Sequence, residues 1–256
     1  MKLGARTFDD NVQQAANLDV DYFEAAIRPA YYMDGKIVPE VCADVYGPIK
    51  DKVVGIHGAI LSHEVNFMNR QRDTQNRRAL EAALKAADSF PSCRYIVFHP
   101  GYIEANDSDN CGLENLFGLM KEYDDSRIFL EFVPVFAYAE RHVFPVHHVD
   151  SWKTLQDKTG KGMVLDLGHA AITARAMKYN ALDYIRGLVE ALGVRIVHVA
   201  DNDDSGDGYE DSHLHIGKGN VPIEEVLAQN KGIELATLEV SEVSPEDVAL
   251  VRSWVG

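Results

Sequence analysis

The sequence predicts an α/β protein that folds as a single (β/α)8 TIM barrel, with its active site at the C-terminal mouth of the strands. Eight short apolar runs of strand length recur along the 256 residues, and segments of helical periodicity separate them. This alternation is typical of parallel βαβ units, and eight units in such a chain favour a closed barrel. Residues with metal-ligand chemistry follow most of the runs, as expected where strands end at one mouth.

The predicted strands leave room for a helix after each one. They cover residues 2–6, 20–27, 53–57, 94–99, 127–132, 163–167, 195–199 and 235–240. Apolar residues recur at helical spacing in residues 77–90 and 180–192. Ser244 before Pro245 predicts the start of the last helix, because a serine cap and a proline in the first turn both favour a helix N-terminus. No linker interrupts this order, so residues 1–256 are expected to form one domain.

A doubly wound open sheet is the alternative architecture for alternating strands and helices. That fold needs a glycine-rich phosphate loop after its first strand. The stretch that follows the first predicted strand here, Gly4-Ala-Arg-Thr-Phe, contains no such loop. The closed barrel is therefore the expected fold.

The charge of the chain limits the partners it can bind. Asp and Glu number 40 against 25 Lys and Arg, which gives a formal net charge of -15. Sequence-independent binding of nucleic acid rests on Lys and Arg contacts to phosphates, so this balance argues against it. Bound divalent cations or a local basic rim can still attract an anion.

Cysteine content and hydropathy bear on the compartment. The three cysteines are an odd number without a regular framework, which favours a reducing environment. The N-terminus lacks an apolar stretch of signal-peptide length, and no apolar run approaches the roughly 20 residues of a membrane span. We expect a cytoplasmic protein without a membrane partner.

Histidines and carboxylates close six of the predicted strands. They are His57, His99, Glu131, Asp166, His198 and Glu239. Imidazole nitrogen and carboxylate oxygen are the ligands that hold ions such as Zn²⁺ or Mn²⁺. A carboxylate at the end of a buried apolar run is costly unless it is paired or metal-bound. The pattern therefore predicts a metal-dependent enzyme.

Two local motifs add further candidate ligands. In Asp166-Leu-Gly-His169 the acid ends a strand and the histidine returns to the mouth. In Asp211-Ser-His213-Leu-His215 the polar residues alternate, so they would share one side of an extended segment. The histidines that fall in presumed helices or loops are interpreted as ordinary surface residues. These are His63, His142, His147 and His148.

Candidate substrate contacts lie near the same mouth. Lys218, between two glycines, either grips an anionic group or is a solvated loop residue, and His215 precedes it in the same loop. Arg28, just after the second strand, either meets an anion or forms a structural salt bridge. Glu24 in the second strand faces either the barrel interior or a helix, and the sequence does not decide between them.

The motifs together resemble the xylose isomerase-like barrel superfamily, and within it the endonuclease IV (AP endonuclease family 2) branch. The resemblance rests on His99-Pro100-Gly101, on the Asp166–His169 pair and on Asp211-Ser-His213 before Ile216-Gly-Lys-Gly219. It implies two or three divalent ions held by nine residues, with zinc as the expected metal and manganese as the alternative, since nitrogen and oxygen ligands accept both. One ion would take His57, His99 and Glu131, a second Glu131, Asp166, His198 and Glu239, and a third His169, Asp211 and His213.

The sister branch of sugar and sugar-phosphate isomerases and epimerases implies a different reaction. There a single ion would sit on Glu131, Asp166, His198 and Glu239, and the two glutamates would move a proton as acid and base. The chain also departs from the endonuclease branch after Glu131, where Phe-Val-Pro-Val-Phe replaces a stretch of small residues.

We expect a metal-dependent phosphoester hydrolase in which Glu131, Glu239 and His169 are catalytic. Its substrate would be a phosphorylated small molecule or abasic-site DNA. A single-metal isomerase or epimerase is the alternative, and a non-catalytic barrel is the third hypothesis. The surplus of candidate ligands favours the hydrolase, because a one-metal isomerase has no need of them. Substrate and oligomeric state stay open.

Overall fold

A computed structural model describes residues 1–26, 44–60, 64–137, 141–203 and 211–255. Its strands are β1 (Lys2–Thr7), β2 (Tyr22–Ala26), β3 (Val53–His57), β4 (Tyr95–Phe98), β5 (Ile103–Glu104), β6 (Ile128–Glu131), β7 (Phe136–Ala137), β8 (His142–Val143), β9 (Gly162–Asp166), β10 (Ile196–Val199) and β11 (Leu235–Leu238). Its α-helices are α1 (Val12–Ala15), α2 (Asp73–Asp88), α3 (Leu113–Glu122), α4 (Val149–Thr159), α5 (Leu167–Ala176), α6 (Ala181–Leu192), α7 (Ile223–Gln229) and α8 (Pro245–Val255). Short 3₁₀ helices cover Gly47–Lys52, Arg70–Arg72 and Ser108–Asn110.

Eight of the strands close into a parallel barrel in the order β1-β11-β10-β9-β6-β4-β3-β2. Each barrel strand pairs in parallel with both neighbours, and β1 joins β11 to complete the ring. This confirms the predicted (β/α)8 barrel and excludes the doubly wound sheet, whose edges stay open. All eight barrel strands lie at their predicted places, within two residues at either end.

Two apolar layers surround the barrel wall. A small cluster fills the interior and consists of Tyr22, Tyr95, Val97, Val164, Ile196 and Leu235. The larger cluster packs the outer face of the strands against the helices. Successive residues of a strand alternate between the two faces of the barrel wall. The residue two positions after each member of the small interior cluster therefore also faces the interior and lies nearer the mouth. Val164 is followed in this way by Asp166, and Ile196 by His198.

A second sheet covers part of the mouth. The short strands β5, β8 and β7 pair antiparallel in that order, outside the eight strands that the sequence predicts. Its apolar residues Val135, Phe144 and Val146 are buried, and the Phe144 ring lies 5.0 Å from the Trp152 ring of α4. Within the described residues, this segment therefore forms part of the core.

Helix ends follow their capping residues. Helix α8 begins at Pro245 as predicted, and Asp247 accepts hydrogen bonds from the backbone and hydroxyl of Ser244. Helix α2 begins at Asp73, four residues before the predicted boundary, because its first turn is polar and shows no apolar periodicity. No helix in the described part of the chain is long and apolar enough to cross a membrane.

Candidate metal centre

The C-terminal ends of the barrel strands bring the predicted ligands together. Glu131, Asp166 and His198 are the last or next-to-last residues of their strands, and all three are buried. His57 closes β3, and Glu239 follows β11 directly. Their side chains meet because parallel barrel strands end at one mouth.

Glu131 lies at the centre of the cluster, and each of its oxygens faces a different pair of histidines. Oε2 lies 3.2 Å from His57 Nε2 and 3.0 Å from His99 Nε2. Oε1 lies 3.3 Å from His198 Nδ1 and 3.5 Å from His169 Nδ1. This arrangement suits a carboxylate that bridges two adjacent ions.

Three groups of side chains have ligand atoms close enough to hold an ion among the described residues. The first is His57, Glu131, His198 and Glu239, the second is Glu131, Asp166 and His169, and the third is His169, Asp211 and His213. The third matches the set that the resemblance implies. The first two divide the remaining residues differently, and they leave out His99, whose Nε2 contacts Glu131 Oε2.

The donor atoms of these groups fit a divalent transition metal. Nitrogen and oxygen ligands in a buried setting are those of zinc or manganese sites. Asp166 supplies a further observation, since its Oδ1 accepts from the backbone N–H of His169 at 2.6 Å and caps α5. Its Oδ2 is buried without a hydrogen-bond partner among the described residues, so one carboxylate oxygen remains free for an ion.

The third group depends on the loop after β10. Asp211 Oδ2 lies 3.0 Å from His169 Nε2 and 2.7 Å from His213 Nε2. His213 has a left-handed backbone with φ of 44°, so the segment is not the regular extended strand that its alternating pattern predicts. The turn instead directs His213 Nδ1 at the backbone oxygen of Glu239, 2.5 Å away.

Asp201 holds this loop in place. Its buried carboxylate accepts hydrogen bonds from the backbone N–H groups of Gly217, Gly219 and Val221 at 2.9 to 3.0 Å. Gly219 is required for this approach, since a Cβ there would lie 2.3 Å from the backbone oxygen of Asn202. The glycines of the motif therefore serve the packing of the loop.

Burial and mutual attraction shift the pKa values of the cluster in opposite directions. Burial raises the pKa of Asp166, and the neighbouring charges of Glu131 and Asp211 add to that rise. Burial also disfavours charge on Glu131, but His99 and His198 hold the pKa of that carboxyl well below its usual range. Burial opposes protonation of His198, yet Glu24 and Glu131 raise its pKa to about 10. Carboxylates and imidazolium groups therefore stabilise one another here.

Two charged residues of the mouth were not predicted as part of the site. Arg6, in β1, forms an ion pair with Glu239, and its Nε is buried without a hydrogen-bond partner among the described residues. Arg6 lies at the C-terminal end of its strand, as the candidate ligands do. A search of the strand ends for positively charged residues would therefore have found it. Glu24, which the sequence left open, faces the interior and contacts His198.

The predicted substrate contacts that the structure describes lie outside the cluster of candidate ligands. The side chain of His215 is 52% exposed, and its Nδ1 lies 2.8 Å from Asp247 Oδ2 at the start of α8. Lys218 is exposed in the loop that Asp201 anchors. Arg28 and His63 lie outside the described residues. His215 and Lys218 stay predictions as substrate contacts.

Comparison with solved structures shows the same fold in enzymes of different activity. Endonuclease IV from Thermus thermophilus superposes with a TM-score of 0.67 at 17% identity, covering 100% of this chain and 99% of that one. A 3-keto-D-glucoside 4-epimerase from E. coli superposes with a TM-score of 0.64 at 12% identity, covering 99% of both chains. At such identities the likeness shows the fold alone.

Sequence comparison gives the family. An uncharacterized protein of Methanocaldococcus jannaschii is 30% identical over 234 residues, which cover 87% of this chain and 74% of that protein. The family model of the xylose isomerase-like TIM barrel matches residues 12–247. The chain therefore belongs to the xylose isomerase-like TIM barrel family.

Proposed function

We propose that the protein is a metal-dependent phosphoester hydrolase of the endonuclease IV type. The observation that carries the proposal is the continuity of the three ligand groups, in which Glu131 belongs to the first two and His169 to the last two. A single ion uses only one of these groups. The surplus residues His169, Asp211 and His213 find a role in a cluster of two or three ions.

A cluster of divalent ions supplies a water nucleophile at neutral pH and compensates the charge of phosphoryl oxygens. Glu131 would hold two adjacent ligand groups at a fixed separation, since its two oxygens face different histidines. His169 joins the second group to the third. Glu239 contributes a carboxylate to the first group, and Arg6 fixes the orientation of that carboxylate.

The charge of the mouth supports an anionic substrate. Five carboxylates converge there, from Glu24, Glu131, Asp166, Asp211 and Glu239. Two divalent ions together with the guanidinium of Arg6 balance these negative charges, and a third ion makes the mouth positive. A phosphate group would then bind favourably although the whole chain carries a net charge of -15.

The size of the substrate follows from the rest of the surface. Binding of a DNA duplex draws on many Lys and Arg contacts to phosphates, which an acidic chain supplies poorly. A small phosphorylated molecule needs only the local field of the mouth. We therefore favour a small phosphoester over abasic-site DNA, and zinc over manganese as the resident ion, because imidazole suits zinc well.

A sugar or sugar-phosphate isomerase with one ion is the second candidate. It is favoured by Glu131 and Glu239, which share the first ligand group and both contact Nδ1 of His198. Two carboxylates beside one ion can move a proton between adjacent carbons of a sugar. The third ligand group, His169, Asp211 and His213, has no required part in that reaction.

Substitution of His213 separates the two candidates. In the hydrolase, His213→Ala should remove one metal equivalent per chain and lower phosphoester cleavage by about 100-fold, because a ligand of the cluster is lost. Metal content is measured by elemental analysis on protein purified without chelators. Activity is measured with a chromogenic phosphate mono- and diester and with an abasic-site duplex. His148→Ala is the control, since His148 is an exposed histidine that contacts Tyr179 outside the cluster.

The outcomes point to different reactions. Loss of one equivalent and of cleavage in His213→Ala, with His148→Ala unchanged, supports the hydrolase. Wild-type protein with a single equivalent and no cleavage would overturn it in favour of the isomerase. Exchange of sugar protons with deuterated solvent, followed by NMR on a panel of sugars and sugar phosphates, would then identify the substrate.

A further inference from the structure

A chain of buried polar side chains lies beneath the cluster. Glu24 Oε2 lies 3.0 Å from His198 Nε2 and accepts a hydrogen bond from the Tyr95 hydroxyl at 2.6 Å. Tyr95 also contacts the Thr237 hydroxyl at 3.2 Å. The side chains of Glu24, Tyr95, Thr237 and His198 are fully buried in the barrel. We infer that Glu24 is a positioning residue, which orients His198 so that its Nδ1 faces the metal.

The chemistry of the carboxylate decides which nitrogen of His198 is available. An ionised carboxylate can only accept, so Nε2 must carry the proton that it shares with Glu24. Nδ1 then points away from Glu24, at 2.6 Å from Glu239 Oε2 and 3.3 Å from Glu131 Oε1. The ring therefore presents its metal-binding nitrogen to the two carboxylates of the first ligand group.

The other histidines of the cluster are held differently. His57, His169 and His213 each direct Nδ1 at a backbone carbonyl oxygen, at 2.9, 2.8 and 2.5 Å. His198 instead contacts a carboxylate with its outer nitrogen. A carboxylate partner raises the basicity of a histidine ligand more than a neutral carbonyl does. We therefore expect Glu24 to strengthen the bond that His198 would form to an ion.

The cost of burying Glu24 indicates that the contact is retained for the site. Glu24 Oε1 has no hydrogen-bond partner among the described residues, although the side chain is fully buried. A buried carboxylate with an unsatisfied oxygen is unfavourable for folding alone. Tyr95 holds the other oxygen in place, and Gly55 makes room for its ring, since a Cβ at residue 55 would lie 2.2 Å from Tyr95 Cζ.

The inference rests on the metal centre of the proposed function and is tested by metal affinity. Glu24→Gln keeps the volume of the side chain, but its amide can donate as well as accept, so the proton on His198 is no longer fixed. The affinity for Zn²⁺, measured by competition with a chromophoric chelator, should fall by about 10- to 100-fold. The visible spectrum of the Co²⁺-substituted protein should also change.

Two tyrosine variants grade the effect. Tyr95→Phe frees the other side of Glu24 and should weaken affinity less than Glu24→Gln. Tyr22→Phe removes a hydrogen bond to Thr237, one contact further from Glu24 along the same chain of side chains, so affinity should change less than in Tyr95→Phe. Urea unfolding of each metal-free variant gives its free energy of unfolding. If Glu24 had only a structural role, the loss of Zn²⁺ affinity would follow the loss of stability across the variants.

Four results would overturn either the positioning role of Glu24 or the metal centre itself. Wild-type affinity in Glu24→Gln, or equal losses in Glu24→Gln and Tyr22→Phe, would overturn the positioning role alone. If Glu24→Gln does not fold, wild-type affinity in Tyr95→Phe overturns it in the same way. Wild-type protein that binds no divalent ion would overturn the metal centre of the proposed function and this inference with it.

Discussion

Arg6 places a positive charge among the carboxylates of the mouth. Its guanidinium pairs with Glu239 and lies 5.2 Å from the centre of the Phe8 ring. The buried Nε, unpartnered within the described residues, is a donor that a substrate oxygen can satisfy. Arg6 is the partner of a candidate ligand, and we predict that it also anchors an anionic substrate.

Replacement of Arg6 should separate substrate binding from metal binding. Arg6→Gln should raise KM for a phosphoester by about 10-fold or more, because a charge-assisted hydrogen bond is lost. Metal content should stay at the wild-type level, because the amide of the glutamine can still donate a hydrogen bond to Glu239. Steady-state kinetics and elemental analysis check this prediction. Arg195→Gln is the control, because Arg195 is exposed just before β10 and forms an ion pair with Glu234. An unchanged KM would contradict the anchor role.

Residue-level reasoning from the sequence depended on strand ends. His57, His198 and Glu239 are found because each closes an apolar run, and that signal survives without knowledge of the partners. Glu24 escaped it because the residue lies inside a strand, where both faces are buried and periodicity does not say which face is the interior. Only the contact with His198 assigns its side.

At the scale of elements, the loop from Asp211 to Val221 decides whether the third ligand group exists. Its backbone forms a bridge with Asp201, which also binds the amides of Gly217 and Gly219. The anchor lies two residues beyond β10, so its hydrogen bonds fix the loop to the end of that strand. The alternation of Asp211, His213 and His215 predicts an extended segment here. The structure instead anchors this loop through a contact between Asp201 and Val221, which lie about twenty positions apart.

Weakening this anchor should release one ligand group and leave the others. Asp201→Asn replaces one acceptor oxygen by an amide that repels the backbone N–H groups, at a cost of about 3 kcal/mol. The third ligand group should lose its ion while the barrel keeps its far-ultraviolet circular dichroism. Elemental analysis and urea unfolding measure both effects. Full wild-type metal content would show that the loop does not depend on Asp201.

Elements shorter than a helical turn were beyond sequence reasoning. Strands β5, β7 and β8 have two residues each, too few for any periodicity to appear. Helix α5 starts directly after Asp166, because that residue both ends a strand and caps the helix. Its first turn carries His169 back over the mouth.

The barrel as a whole confines several like charges to one end. Glu131, Asp166 and Glu239 are buried close together, and burial raises the pKa of Asp166. Their repulsion destabilises the fold unless cations balance it. Histidines supply part of that balance, since the pKa of His169 is raised well above its ordinary value by Asp166 and Asp211 although burial opposes protonation.

Removal of the ions should therefore destabilise the molecule. At an ion concentration about 1,000 times the dissociation constant, binding contributes about 4 kcal/mol. Chelation should then lower the thermal midpoint by on the order of 10 °C for a domain of this size. Differential scanning calorimetry before and after dialysis against a chelator, and after return of Zn²⁺, measures the shift. A midpoint that does not respond would contradict a structural contribution of the ions.

The sequence by itself determined the barrel, the positions of its strands along the chain and the candidate ligands at their ends. These follow from periodicity and position along the chain, which are local properties. Only the tertiary structure decided that Glu131 faces two pairs of histidines, that Asp201 pins the loop of His213, and that Glu24 lies beneath His198. These are contacts between residues distant in sequence, and barrel closure alone sets their geometry.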